Sequence, residues 1–121
     1  MIITIDPATI FELKACVYKA SITLNATALV SKLNSSDMHE KLHTLFEEAN
    51  EELNEAIEFM CEVYSWTPKF AKDTFNELCN EGLFETVAQA GKEKAEEYVS
   101  SWLNHELSDN ELYEAIGFDI Y

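Results

Sequence analysis

The sequence contains no arginine. All eight of its basic residues are lysine, against 23 acids, for a formal net charge of −15 in 121 residues. Without guanidinium groups the chain lacks the planar fork that grips phosphates and carboxylates bidentately. Direct binding of DNA or RNA needs clustered Lys and Arg, so nucleic acid is excluded as a direct ligand. An anionic membrane surface would repel the chain for the same reason. A partner with a basic surface would be attracted, and faster at low salt.

Glycine and proline are scarce, at three and two residues. That is too few turn-formers for an all-β chain of this length, and it favours long helices joined by short connections. Cysteine is limited to Cys16, Cys61 and Cys79, an odd number with no C-x-x-C spacing. Buried free thiols in a reducing compartment are expected. Long apolar runs are missing too. The longest uncharged stretch, Ala20 to Ser31, is 12 residues with Ser, Thr and Asn inside it, too short and polar to span a bilayer. Met1 to Ile5 has no basic residue before the turn signal Asp6-Pro7, so no secretory leader is read there and a cytoplasmic location is expected.

What is present is amphipathic helix. Hydrophobic residues make up 47% of the chain, enough for one core but hardly for two. Asp6 is a candidate N-cap with Pro7 at the first helical position. The following helix either runs to Leu33 or breaks near Thr23 to Thr27, where β-branched residues and Asn25 weaken it. Asn34 to Asp37 reads as a loop ending in a capping box, Asp37 with Glu40. From Met38 to Tyr64, apolar residues from Met38, Leu42 and Leu45 to Met60, Val63 and Tyr64 recur at three- and four-residue steps. They fill one arc of roughly 120°. Thr67-Pro68 opens another helix, which Gly82 stops. Leu83 to His105 is helical, with an interruption allowed at Gly91. Ser108 with Glu111 forms a second capping box, opening a final helix that Gly117 closes. The expected fold over residues 1–121 is therefore one all-α domain, a compact bundle of five or six helices, with room for a short extended segment at Ile2 to Ile5.

The charge is unevenly placed. Residues 1–37 hold three acids and three lysines, whereas residues 38–64 hold eight acids and one lysine, net −7. The last 17 residues carry five acids and no lysine. On the second helix Glu47, Glu48, Glu51, Glu55, Glu58 and Glu62 share an arc opposite the apolar stripe, with Glu52 at its edge. No lysine lies among them to form the i,i+4 pairs that usually support such a face. Seven carboxylates over this length give one charge per roughly 4 Å of helix, close to the ~3.4 Å phosphate spacing along one DNA strand. In size, charge and helicity the chain resembles the small acidic helical proteins that phages use as DNA mimics or as blockers of host nucleases. The resemblance involves no motif and defines no family.

One catalytic pattern occurs. His39-Glu40-Lys41-Leu42-His43 is a literal H-E-x-x-H, in which two His at i, i+4 can bind zinc and the Glu can activate water. Here it starts in the first helical turn, contains Lys41, and has no third ligand near it. Glu62, a candidate on the same helix, would be ~28 Å away. The expectation is therefore no metal, no cofactor and no enzyme. There is also no glycine-rich phosphate loop and no G-x-S-x-G. The expected function is an inhibitor or nucleic-acid mimic that binds the basic surface of a nucleic-acid-handling protein. Its contact residues would be Glu47, Glu48, Glu51, Glu52, Glu55, Glu58 and Glu62, with Asp109, Glu111 and Glu114 as a second patch. An assembly chaperone or adaptor using an apolar helix face, in a form that allows a homodimer, is the first alternative. A small zinc hydrolase using His39, Glu40 and His43 is the second. Phe11, Phe46, Phe59, Phe70, Phe75, Phe84 and Trp102 are expected in the core. Trp66, Tyr113, Phe118 and Tyr121 are expected nearer the surface.

Overall fold

A computed structural model describes residues 5–33 and 35–120. The extended segment expected at Ile2 to Ile5 lies, except for Ile5, outside these residues, as do Asn34 and Tyr121. The chain forms five helices, α1 (Pro7–Ser31), α2 (Ser36–Tyr64), α3 (Pro68–Asn80), α4 (Glu85–Leu103) and α5 (Asp109–Ile120). No strand occurs among the described residues. The fold is all-α, as expected.

Most of the helix boundaries follow from local chemistry. The Asp6 carboxylate accepts from the Ala8 N–H at 3.2 Å, and Pro7 occupies the first turn. Thr67 caps α3 by accepting from the Phe70 N–H at 3.2 Å. Gly82, at φ +78°, makes the left-handed turn after α3. Ser108 and Glu111 exchange two hydrogen bonds of 3.2 Å, a reciprocal capping box at the start of α5.

Two points that the sequence leaves open are settled, and two expectations are corrected. α1 is unbroken through Thr23 to Thr27, where burial of Ile22, Thr23, Ala26 and Thr27 holds a stretch whose polar side chains bond back along the helix. The Thr23 hydroxyl donates to the Lys19 and Ala20 carbonyls, Asn25 to Ser21, and Thr27 to Thr23 at 2.7 Å. α2 begins one residue before Asp37, so the Asp37–Glu40 box does not form; Ser35 is the N-cap and makes no side-chain capping bond. Gly91 does not interrupt α4. It is buried against α1, where an added Cβ would lie 2.7 Å from Ser21 Cβ and 2.8 Å from the Tyr18 carbonyl oxygen. Gly117 does not end α5, which continues to Ile120 with that side chain buried.

α1 is the central helix. It packs most extensively on α4 and α2 and also touches α5, which is why its apolar residues do not keep to one face. The interior falls into two clusters along the α1–α2 pair, where one core was expected. At one end Ile22, Ala26 and Val30 of α1 meet Met38, Leu42 and Leu45 of α2, Ala95 and Val99 of α4, and Leu112, Ile116 and Ile120 of α5. At the other end Leu13, Met60, Leu78 and Phe84 are buried, surrounded by half-buried side chains including Leu53, Ile57, Tyr64, Trp66 and Phe75. α4 reaches both clusters, with Phe84 and Val87 at the second and Ala95 and Val99 at the first, whereas α3 joins only the second and α5 only the first.

Candidate protein-binding face

The acidic face of α2 lies on the half covered by α3. α2 is continuous from Ser36 to Tyr64, so Glu47 and Glu62 stand about 22 Å apart along one axis. Glu47, Glu48, Glu51, Glu55, Glu58 and Glu62 are all exposed. Burial of Leu45, Ala49 and Met60 on the opposite side fixes this orientation.

Glu52 and Glu47 are among the members of the row engaged within the chain. Glu52, at its edge, is half-buried and paired with Lys19 of α1 at 3.0 Å. It fastens α2 to α1 rather than facing solvent freely. Glu47 Oε1 lies 3.1 Å from His43 Nε2, an ion pair once the imidazole is protonated. Glu51, Glu55, Glu58 and Glu62 form no ion pair among the described residues. They are the open centre of the row.

The second patch has local work. Asp109 accepts from the Trp102 indole N–H at 2.7 Å, and Glu111 belongs to the α5 capping box. Both sit in the first turn of α5, where negative charge favours the helix dipole. Glu114 is exposed. α5 packs with the Met38–Leu45 half of α2, so this patch and the row accompany different core clusters.

A groove borders the row on each side. Between α2 and α3 it has a volume of about 600 Å³ and is lined by Asn54, Ile57, Glu58, Cys61, Glu62, Pro68 and Lys72. Between α1 and α2 it is about 480 Å³, and its lining includes Glu12, Ala15, Glu55 and Phe59.

The apolar surface corrects the sequence reading. Phe11 is 76% exposed and Phe59 54%, although both were expected in the core, and Val63 of the apolar stripe is 54% exposed. Phe118 is 83% exposed, as expected. Trp66 is half-buried, with Tyr64 stacked at 4.8 Å and Phe70 edge-on at 5.0 Å. Tyr113 packs against the first core cluster. The cysteines are free, but only Cys16 is buried; Cys61 is half-buried and Cys79 exposed. Burial pushes the Cys16 thiol up, and the nearby Glu52 carboxylate adds to this. An activated nucleophile requires the opposite shift.

The H-E-x-x-H residues occupy the first turns of α2. The His39 and His43 rings stack with centroids 6.2 Å apart and planes within 7°. His39 Nδ1 is buried with no hydrogen-bond partner among the described residues. No group of three or more His, Cys, Asp or Glu among the described residues could hold a metal ion. The pair thus lacks the third ligand that a catalytic zinc takes from protein. No described helix is long and apolar enough to cross a membrane. Comparison with protein-family models, with curated proteins and with solved structures found no match.

Proposed function

We propose that this chain is a non-enzymatic protein-binding module that blocks the basic, nucleic-acid-handling surface of another protein. The observation that carries the reading is the α2 row. Four exposed carboxylates without ion pairs, Glu51, Glu55, Glu58 and Glu62, lie along one helix whose opposite side is buried. Like charges at i,i+3 and i,i+4 oppose the helix that carries them. A basic partner relieves that repulsion on binding, and its release of counterions makes the affinity salt-dependent.

The test is retention of host proteins on the immobilised chain, followed by elution with rising salt and with duplex DNA. The expected result is a nucleic-acid-binding protein that leaves at moderate salt and is displaced by DNA. Combined Glu51→Lys, Glu55→Lys and Glu58→Lys should abolish its retention. Unchanged retention by the triple variant would overturn the reading. A second reading, an adaptor using an apolar helix face, is favoured by the exposure of Phe11, Phe59 and Val63. It requires binding that tolerates salt.

A further inference from the structure

The acidic row is bordered on its α1 side by aromatic surface. Phe59 follows Glu55 by four residues and precedes Glu62 by three, so the three share one side of α2. Val63 extends the apolar surface one turn further. Across the groove Ala15 of α1 lines the same space, and Phe11, four residues earlier, continues that side of α1. Phe11, Phe59 and Val63 are each more than half exposed, a concentration of apolar surface that isolated exposed side chains do not produce.

The surrounding charge selects the occupant. The groove contains one lysine, Lys19, and Glu52 holds it at 3.0 Å. Glu12 and Glu55, which also line the groove, form no ion pair among the described residues. A second copy of the chain would bring another −15 to this rim, and nucleic acid or an anionic membrane would be repelled in the same way. A groove that sets an exposed phenylalanine and two alanines beside unpaired carboxylates complements a cationic amphipathic segment.

We infer that this face binds a basic amphipathic segment of a partner protein. Lysine or arginine side chains meet Glu55, Glu58 and Glu62, and an apolar side chain sits in the α1–α2 groove against Phe59. The inference rests on the proposed role of the acidic row and adds an apolar anchor, which charge mimicry alone does not need. Aromatic anchors of this kind carry a large share of binding energy when a partner desolvates them.

Two labelled helical peptides of about 15 residues, long enough to match the row, supply the test. They carry equal positive charge. One has leucines along a single face, and the other has serines at those positions. Each is titrated with the full chain by fluorescence anisotropy at low and moderate salt. The leucine peptide should bind about tenfold tighter or better. Phe59→Ser should remove that advantage while leaving the serine peptide's affinity and salt slope unchanged, and Phe59→Leu should preserve it. Circular dichroism confirms that each variant is folded.

Equal affinity of the two peptides for the unmodified chain would overturn the inference. So would full affinity of the Phe59→Ser chain for the leucine peptide. Concentration-dependent self-association lost in Phe59→Ser would also overturn it, by assigning the face to a second copy. The underlying charge reading fails by a different result, in which the Glu51, Glu55 and Glu58 reversals leave both peptides bound as before.

Discussion

The two ends of the α1–α2 hairpin are built differently. Where α4 and α5 close over it, eleven side chains from four helices are buried together, nine of them aliphatic or methionine and two alanine. Where α3 and the start of α4 close over it, four side chains form the buried cluster and a larger set around them is only partly buried. The aromatic groups Tyr64, Trp66, Phe70, Phe75 and Phe84 are at this second end, and Phe59 and Val63 remain in solvent. The open acidic row lies on the same half of α2. α5 joins only the first end, and at the second two grooves flank the row, one between α2 and α3 and one between α1 and α2. The first end holds the larger buried cluster, and the second carries the acidic row with Phe59 and Val63 exposed beside it.

The sharpest way to break this comparison is to truncate one side chain at each end. Leu42 is 0% exposed in the closed cluster. Leu42→Ala should cost about 3 kcal/mol in urea denaturation, from lost transfer free energy and the cavity left behind. Phe59→Ala at the open end should cost no more than about 0.5 kcal/mol, as for other substitutions of exposed side chains. Equal losses would mean that Phe59 is structural and that the two ends do not differ as described.

A smaller effect distinguishes the glycines of α4 and α5. A Cβ at Gly91 meets Ser21 and the backbone of Tyr18 below 3.0 Å, so Gly91→Ala must push α4 off α1. A loss of about 2 kcal/mol is expected. A Cβ at Gly117 meets nothing within 4 Å. Gly117→Ala should be neutral or stabilise by up to about 1 kcal/mol through helix propensity. Thermal melts of the two variants should therefore move in different directions. Matching shifts would show that close approach of α1 and α4 is not what holds the closed end.

Much of this architecture is legible in the sequence where the signal is local. Asp6-Pro7, Thr67-Pro68, Gly82 and the Ser108/Glu111 pair mark helix ends by chemistry within four residues. The period of α2 separates its glutamates from its core face. The misreadings have tertiary causes. Two points stay open for the same reason: Gly91 allows a break until α1 lies against it, and Thr23, Asn25 and Thr27 allow one until burial of Thr23 and Thr27 holds the helix. Gly117 resembles a stop until Ile120 reaches the core. Phe11 and Phe59 belong to the core by residue type alone, and only the register of α1 against α2 places them in solvent. The charged half of the candidate site was therefore visible in advance, and its apolar half was not.

The smallest effect concerns the tether that closes the α4–α5 end. The Tyr98 hydroxyl donates to the Asp119 carboxylate, tying α4 to α5. Burial first, then this hydrogen bond and the negative charge of Asp119, push the Tyr98 phenol well above its ordinary value of 10.0. Burial raises Tyr18 as well, and Asp119 adds to that shift. A raised pKa means that the folded state holds the proton more tightly than the unfolded chain does. The stabilisation is complete below the unfolded phenol pKa near 10 and declines as pH rises toward the folded value, because the unfolded chain ionises first. Stability measured in urea should consequently begin to fall as pH approaches about 9, where the unfolded thiols ionise, and fall more steeply above about pH 10, where the unfolded phenols do. Tyr98→Phe should cost about 1 kcal/mol at pH 7 for the lost hydrogen bond and flatten part of the alkaline decline, with Tyr18 and the raised Cys16 and Cys79 thiols supplying the remainder. The hydrogen-bonded amides of α5 should exchange faster in this variant, while those of α3 should be unaffected. Equal acceleration in α3 would mean that the two ends unfold as one unit, and that the open end owes its looseness to something other than the missing cover.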